Sequence, residues 1–303
     1  MKPILSVRDL ASRLGTSVTR LREIAGDIDS HYSLWTRWDE KKQKVRHFRV
    51  PKPELMEIQR RIKNKILSSI PLSDGVHGGV RGGSPRSNAS PHLGQPCVIN
   101  LDVRDFFGKV RHYMVHRMFV GELRFGRDVA RLLTRLTTLN GELPQGAPTS
   151  TAVANLLLAV PVDGPMLVEA ERLGHRYSRF VDDITLSGDN PRPLINTVAR
   201  ALSRRRLPMY RKKAKKPKLK ITPISRRQEV TGLTVNSTKG PSVPRRTRGN
   251  IRAAIFRLHA VPENAFRTAV SSVRGRIAYA RQFNPGSAER MRRTLESLLA
   301  SRS

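Results

Sequence analysis

The chain has 303 residues, of which 57 are Lys or Arg and 24 are Asp or Glu, giving a formal net charge of +33. A folded chain carries that self-repulsion most easily beside a polyanion, so nucleic acid or an anionic surface is the expected partner. One cysteine, Cys97, excludes an intramolecular disulfide framework and a cysteine-rich zinc site, the N-terminus is too polar for a secretory signal, and no run of about 18 apolar residues predicts a membrane span.

Residues 6–26 read as helical, with Leu10, Leu14, Val18 and Leu21 near helical spacing, and Asp9 to Ser17 faintly resembles a helix-turn-helix. Residues 31–50 hold both tryptophans, Trp35 and Trp38, and alternate polar with apolar, which predicts a strand pair. Pro51 and Pro53 break the chain, and residues 54–70 predict a basic amphipathic helix on Leu55, Ile58, Ile62 and Ile66.

Residues 71–96 read as loop-rich, with the run His77-Gly-Gly-Val-Arg-Gly-Gly-Ser-Pro-Arg86. The glycines suggest a phosphate loop, but no Gly-Lys-Ser/Thr follows and no helix is expected to open there, so a nucleotide-hydrolase fold is rejected. Backbone amides with Arg81 and Arg86 could still hold phosphates. His92 lacks partners at metal-ligand spacing and reads as a hydrogen-bonded structural residue.

Cys97-Val-Ile-Asn-Leu-Asp102 is a β-rich run ending in an acid. Helical regions follow on Val110, Met114 and Met118, and from Arg127 to Leu139. Asn140 to Pro148 is a turn-dense loop, after which Thr149, Ser150 or Thr151 caps an apolar helix to about Val160. Pro161 and Pro165 are expected to interrupt it before periodicity resumes to Leu173. Arg176 to Gly188 then predicts a hairpin with Asp182 and Asp183 at its tip, and Pro191 to Arg206 another helix.

Residues 200–220 hold eleven Lys or Arg and no acid, either a solvated run or a surface that follows a nucleic-acid backbone. Val230 to Asn236 is β-rich about a central glycine, and residues 237–244 read as a linker. From 245 to 303 there are thirteen arginines and three acids on a helical pattern, with Ile251, Ile255, Leu258, Val270, Val273, Ile277, Leu295 and Leu298 as apolar anchors.

Adjacent like charges repel, so Asp182 and Asp183 are expected beside something cationic, and Mg²⁺ is the obvious candidate. If the strand ending at Asp102 neighbours that hairpin, three carboxylates converge. Two ions about 3.5–4 Å apart could then activate an attacking hydroxyl and stabilise leaving phosphate oxygens. Asp105 competes for the first position, but it opens a helical segment, where an acid complements the dipole.

Leu101-Asp-Val-Arg-Asp-Phe-Phe107, Leu143-Pro-Gln-Gly-Ala-Pro-Thr-Ser150 and Tyr177-Ser-Arg-Phe-Val-Asp-Asp183, in that order, resemble a bacterial reverse transcriptase. Asn88-Ala-Ser-Pro-His92 and Val230-Thr-Gly232 point to the retron type. The similarity spans roughly residues 50–300. It implies an α+β right-hand polymerase: N-terminal helices and fingers over 1–96, a palm with an antiparallel sheet over 97–240 (with a finger portion near 108–140), and a helical thumb over 241–303.

By that resemblance Asp102, Asp182 and Asp183, with the Val103 carbonyl, would hold two Mg²⁺. Phe107 would exclude a 2′-hydroxyl, Gln145 would contact the incoming dNTP, and Arg81 would bind its triphosphate. Lys218 would match the lysine that follows the hairpin. Arg211, Lys212, Lys213, Lys215 and Lys216 of the basic run, and Arg245, Arg246, Arg248 and Arg252 at the start of the thumb, would bind RNA. Phe180 and Val181 stand where the family usually has tyrosine and alanine.

The resemblance further implies a cognate structured non-coding RNA as template and primer, with synthesis starting from the 2′-hydroxyl of an internal guanosine to give branched RNA-linked DNA. It implies a host ribonuclease H to trim the RNA, an effector protein, a role in anti-phage defence, a cytoplasmic location and no membrane partner. Two alternatives stand beside it: another bacterial reverse transcriptase of abortive-infection type, and a catalytically silent RNA-binding scaffold.

Overall fold

The computed structural model describes residues 2–39, 43–103, 105–207, 209 and 219–301. Helices α1 (Val7–Leu14) and α2 (Val18–Gly26) begin at Ser6 and Ser17, whose hydroxyls accept the Asp9 and Arg20 amides at 3.1 Å each. Gly15, at φ 65°, turns the chain between them. Strands β1 (Tyr32–Asp39) and β2 (Lys44–Pro51) form the expected antiparallel pair, with Trp35 opposite Phe48 and Trp38 opposite Val45. Both tryptophans are about half exposed. Helix α3 (Pro53–Lys65) buries Leu55, Ile58 and Ile62.

The loop-rich stretch 71–96 contains a short helix that was not expected, α4 (Pro85–Ala89), capped by Ser84, and a 3₁₀ turn over Ser90–His92. Pro85 at the first helical position lacks only an amide that would have had no partner, which is why the glycine-proline composition did not prevent a helix.

Strand β3 (Cys97–Asp102) is followed by α5 (Phe106–Lys109), α6 (His112–Arg117) and α7 (Arg127–Thr137). Helix α8 (Ser150–Leu158) starts at Thr149, whose side chain makes no capping bond; Ser150 Oγ instead donates to the Pro144 carbonyl at 2.6 Å. The two prolines do not break the helical run. A π-turn over Ala159–Asp163 passes directly into α9 (Gly164–Arg172). Pro165 falls in the first turn of α9, where its missing amide costs little, and the wider π-turn accommodates Pro161.

The resulting helical stretch Ser150–Arg172 is long and apolar enough to cross a membrane by length and composition alone, although Asn155 and Asp163 keep it from being an uninterrupted apolar run. Half of it is buried, and Val153, Leu157, Leu158, Val162 and Met166 sit in the main core. It also carries Asp163 in a buried ion pair, so it packs as a core helix.

Strands β4 (Arg176–Phe180) and β5 (Asp183–Gly188) form the hairpin, followed by α10 (Pro193–Arg204) and β6 (Lys220–Pro223). The four-stranded antiparallel sheet has the order β4-β5-β3-β6. Successive side chains of a strand point to opposite faces. Ile99, Leu101, Ile184 and Leu186 thus face a core shared with α1–α3 and α6–α10, while Val98 faces a second core. That second core takes in a two-residue hairpin, β7 (Glu229–Val230) and β8 (Leu233–Thr234), and helices α11 (Arg245–Arg257), α12 (Glu263–Arg281) and α13 (Pro285–Ala300). All eight apolar anchors expected in the C-terminal helices are buried. The architecture is α+β, with antiparallel sheets.

Candidate active site

In the antiparallel register of β3 and β5, Asp102 is the direct partner of Asp183, and the Val103 amide donates to the Asp182 carbonyl at 3.3 Å. Directly opposed residues in such a pair share a face, with Cα atoms roughly 4.5–5.5 Å apart. Asp102 is therefore brought to the tip of the β4–β5 hairpin by backbone pairing alone. Asp102 and Asp182 are half-buried and Asp183 is exposed. Asp105, the competing acid, lies in an αL conformation (φ 48°) at the start of α5. It lines a separate small cavity.

The hairpin turn is strained. Val181 has φ 61°, a region that a β-branched residue rarely enters and that costs about 1–3 kcal/mol. In a regular strand Asp182, opposite Val103, would face the apolar core. With Val181 in the αL region the regular strand ends there, and Asp182 lies half-buried in the turn just before β5.

The donor set suits Mg²⁺, which binds hard carboxylate oxygens and takes one or two of them, completing its shell with water and phosphate oxygens. Among the described residues no three His, Cys, Asp or Glu side chains are gathered tightly enough to enclose a metal ion. Mg²⁺ does not need a cage of that kind, because water and substrate oxygens complete its shell.

Phe107 is half-buried, packed edge-on against Phe106 with centroids 5.6 Å apart. Gln145 is exposed; its carbonyl accepts the Arg49 amide at 2.8 Å, which ties the base of the β1–β2 hairpin to this loop. A cavity of about 210 Å³ is lined by Gln145 together with His47, Arg49, Asp105, Gly108 and Glu142. Arg81 is exposed and lines a different, larger cavity of about 950 Å³ with Lys63, Asp74, His77 and Asn155. Arg81 and Gln145 are thus not brought to one pocket. Arg86 donates to the Gln282 carbonyl and lies 4.9 Å from the Phe283 ring centroid, so it is engaged with the C-terminal helices. Arg245, Arg246 and Arg252 are exposed on α11, and Arg248 is half-buried. Lys218 and the expected RNA contacts Arg211, Lys212, Lys213, Lys215 and Lys216 lie outside the described residues.

The two shorter motifs meet each other. Asn88 Nδ2 donates to Thr231 Oγ1 at 2.5 Å. Thr231 and Gly232 both have positive φ (50° and 78°), as a type I′ hairpin turn requires. His92 is fully buried, with Nδ1 2.7 Å from Ser187 Oγ and Nε2 2.8 Å from Ser178 Oγ. It clips β4 to β5 below the acidic tip, as the structural reading of this histidine anticipated.

Sequence reasoning missed Arg179, Asp163 and Asn155. All three are fully buried, and Arg179 forms a bidentate ion pair with Asp163. Burial works against the guanidinium charge, but Asp163 more than offsets it and the Arg179 pKa is raised. A lone arginine in a strand carries no sequence signal for this, because its partner lies sixteen residues back within the π-turn.

No protein-family model matches the chain. The sequence is 31% identical to the retron Mx65 reverse transcriptase of Myxococcus xanthus, over 94% of this chain and 70% of that protein. It is 33% identical to the retron Mx162 reverse transcriptase of the same organism, over 82% of this chain and 58% of that protein. The retron Ec86 reverse transcriptase of Escherichia coli is 28% identical over 84% of this chain and 79% of its own length.

Proposed function

The chain belongs to the retron reverse transcriptases, a family of RNA-directed DNA polymerases, and on that premise we propose that it copies a cognate structured RNA into DNA at the Asp102–Asp182–Asp183 edge. The observation that carries this reading is the pairing of Asp102 with Asp183 across β3 and β5. It sets Asp102 directly opposite Asp183, eighty-one residues away in the chain, with Asp182 next in sequence.

In this reading Asp102, Asp182 and Asp183, with the Val103 carbonyl, hold two Mg²⁺. When bound, these ions supply charge neutralisation and lower the pKa of the attacking hydroxyl. The protein's own task is alignment. The sheet fixes the carboxylates, and phosphoryl transfer needs little beyond positioning and charge stabilisation. Phe107, packed edge-on against Phe106, presents a ring where a 2′-hydroxyl would clash. Gln145 contacts the incoming nucleotide, and Arg81 and Lys218 neutralise phosphate charge. The strands form the palm, the N-terminal elements and β1–β2 the fingers, and α11–α13 the thumb, whose Arg245, Arg246, Arg248 and Arg252 grip the duplex backbone. Exposed Trp35 and Trp38 offer ring faces to unpaired bases.

The RNA is template and primer together, extended from the 2′-hydroxyl of an internal guanosine. The product is branched RNA-linked DNA, made in the cytoplasm, trimmed by a host ribonuclease H and used with an effector in anti-phage defence. The test is to purify the protein with its bound RNA, sequence that RNA, and add Mg²⁺ and labelled dNTPs. Label should become covalently joined to the RNA and be released by a debranching enzyme. Label in DNA carrying no RNA, or no incorporation, contradicts the reading.

A further inference from the structure

We infer that Arg179, with Asn155 and Gly78, is a positioning group that fixes the strained turn carrying Asp182 and Asp183 and seats the Gly75–Gly79 loop beneath it; the role in synthesis rests on the polymerase reading above. The Arg179 side chain has no exposed surface. Its Nε and Nη2 donate to the two Asp163 carboxylate oxygens at 2.7 and 2.6 Å. That pair is complete in itself, and Asp163 also accepts the Tyr177 hydroxyl at 2.6 Å. Arg179 Nη1 is left over, and it donates at 2.7 Å to the carbonyl of Val181, the residue preceding the catalytic acids, and at 2.8 Å to Asn155 Oδ1.

Asn155 extends the connection. Its Nδ2 donates to the Gly78 carbonyl at 2.8 Å. The backbone repeats the link: the Arg179 amide donates to the Gly75 carbonyl at 2.7 Å, and the His77 amide to the Arg179 carbonyl at 2.9 Å. The loop runs as a short parallel bridge along β4. Gly78 lies so close to the turn that a Cβ there would stand 2.4 Å from the Val181 nitrogen. A β-branched residue stays in the αL region only where its surroundings over-determine it. Here the Val181 carbonyl is held by Arg179, the next carbonyl by the Val103 amide, and the Val181 nitrogen is backed by Gly78. A buried ion pair that served only stability could be replaced by apolar side chains at little cost. The bond to Val181 is what such a replacement would remove.

Arg179→Lys keeps a positive charge for Asp163 but cannot bond Asp163, Asn155 and Val181 together. Its kcat for dNTP addition is expected to fall on the order of 10²-fold, the cost of a misplacement near 1 Å. KM for dNTP and the RNA Kd should stay within about threefold, since neither touches Arg179. Amide hydrogen exchange should quicken in the peptide spanning 176–188 and remain as in the wild type across 97–102. Gly78→Ala leaves the ion pair untouched but pushes on the Val181 nitrogen, so it should show the same kcat-selective loss even if Arg179→Lys does not fold. Asp163→Asn is the control for a purely structural role. If kcat of Gly78→Ala and Arg179→Lys stays within twofold of wild type, or if all three variants lose kcat and gain KM together in step with lowered thermal stability, the inference is overturned. A wild type that incorporates no dNTP would sink the polymerase reading instead; exchange across 176–188 would still show whether Arg179 holds the turn.

Discussion

His92 shows at the residue scale how a motif can be structural beside a chemical site. Burial, with the nearby His77 and Arg176 charges, pushes its pKa down to about 3, so it is neutral in the fold. The unfolded chain, with an ordinary histidine pKa near 6.5, binds the proton first as pH falls. Stability contributed by neutral His92 is therefore present above about pH 6.5 and drains away as pH descends toward 3, at roughly 1.4 kcal/mol per pH unit. Urea unfolding at pH 7, 6, 5 and 4 should show a steeper decline for the wild type than for His92→Gln; parallel declines would mean that the ring is protonated in the fold. Phe107 carries the second residue-scale prediction. Phe107→Ala should lower the preference for dNTP over rNTP by roughly tenfold or more, measured by competitive incorporation, because shape is what separates two sugars differing by one hydroxyl. An unaltered ratio would remove Phe107 from the gate. The three aspartates were legible because each sits in a motif with β-formers around it. Arg179 was not, because whether a strand arginine is buried depends on an acid that the sequence places in a different element.

Among the elements, the π-turn at Ala159–Asp163 is the clearest departure from the sequence reading. Two prolines implied a break, yet the helix widens by one residue per turn and continues, and the last residue of that turn is the acid that pairs with Arg179. The same local event hid both the continuous helix and its buried ion pair. The hairpins were easier: alternation gave β1–β2, and the acid-tipped β4–β5 followed from its β-formers. The tie between α4 and the β7–β8 turn could not be read, since Asn88 and Thr231 are far apart in the chain. Asn88 is almost fully buried, and the hydrogen bond its side-chain amide donates to the Thr231 hydroxyl ties α4 to the β7–β8 turn. Asn88→Ala should lower unfolding free energy by about 1–3 kcal/mol, read from the shift in urea midpoint at unchanged slope. A midpoint equal to that of the wild type would show that this contact is not a structural tie.

For the whole molecule, two apolar cores meet across one antiparallel sheet, and the acids at the ends of its two central strands interrupt a chain of net charge +33. Charge alone pointed to nucleic acid or an anionic surface as the expected partner before any motif was used, because a polyanion is the simplest way to relieve that repulsion. RNA affinity should fall roughly 10³-fold or more between 50 and 200 mM salt if six or more phosphates are contacted, and a nearly flat salt dependence would contradict a backbone-tracking surface. The apolar anchors of the last sixty residues followed from helical spacing, whereas the second core's reach to Ala89 and Val98 and the sharing of the first core by N-terminal helices and sheet depend on long-range packing. The most direct test of the account is RNA-primed DNA synthesis with Mg²⁺ and dNTPs by the wild type, by Asp102→Asn, and by the double variant Asp182→Asn with Asp183→Asn, each with RNA affinity measured alongside. Synthesis should vanish in both variants while RNA Kd stays within a few-fold. Continued extension by either variant would show that these three carboxylates do not form one catalytic site.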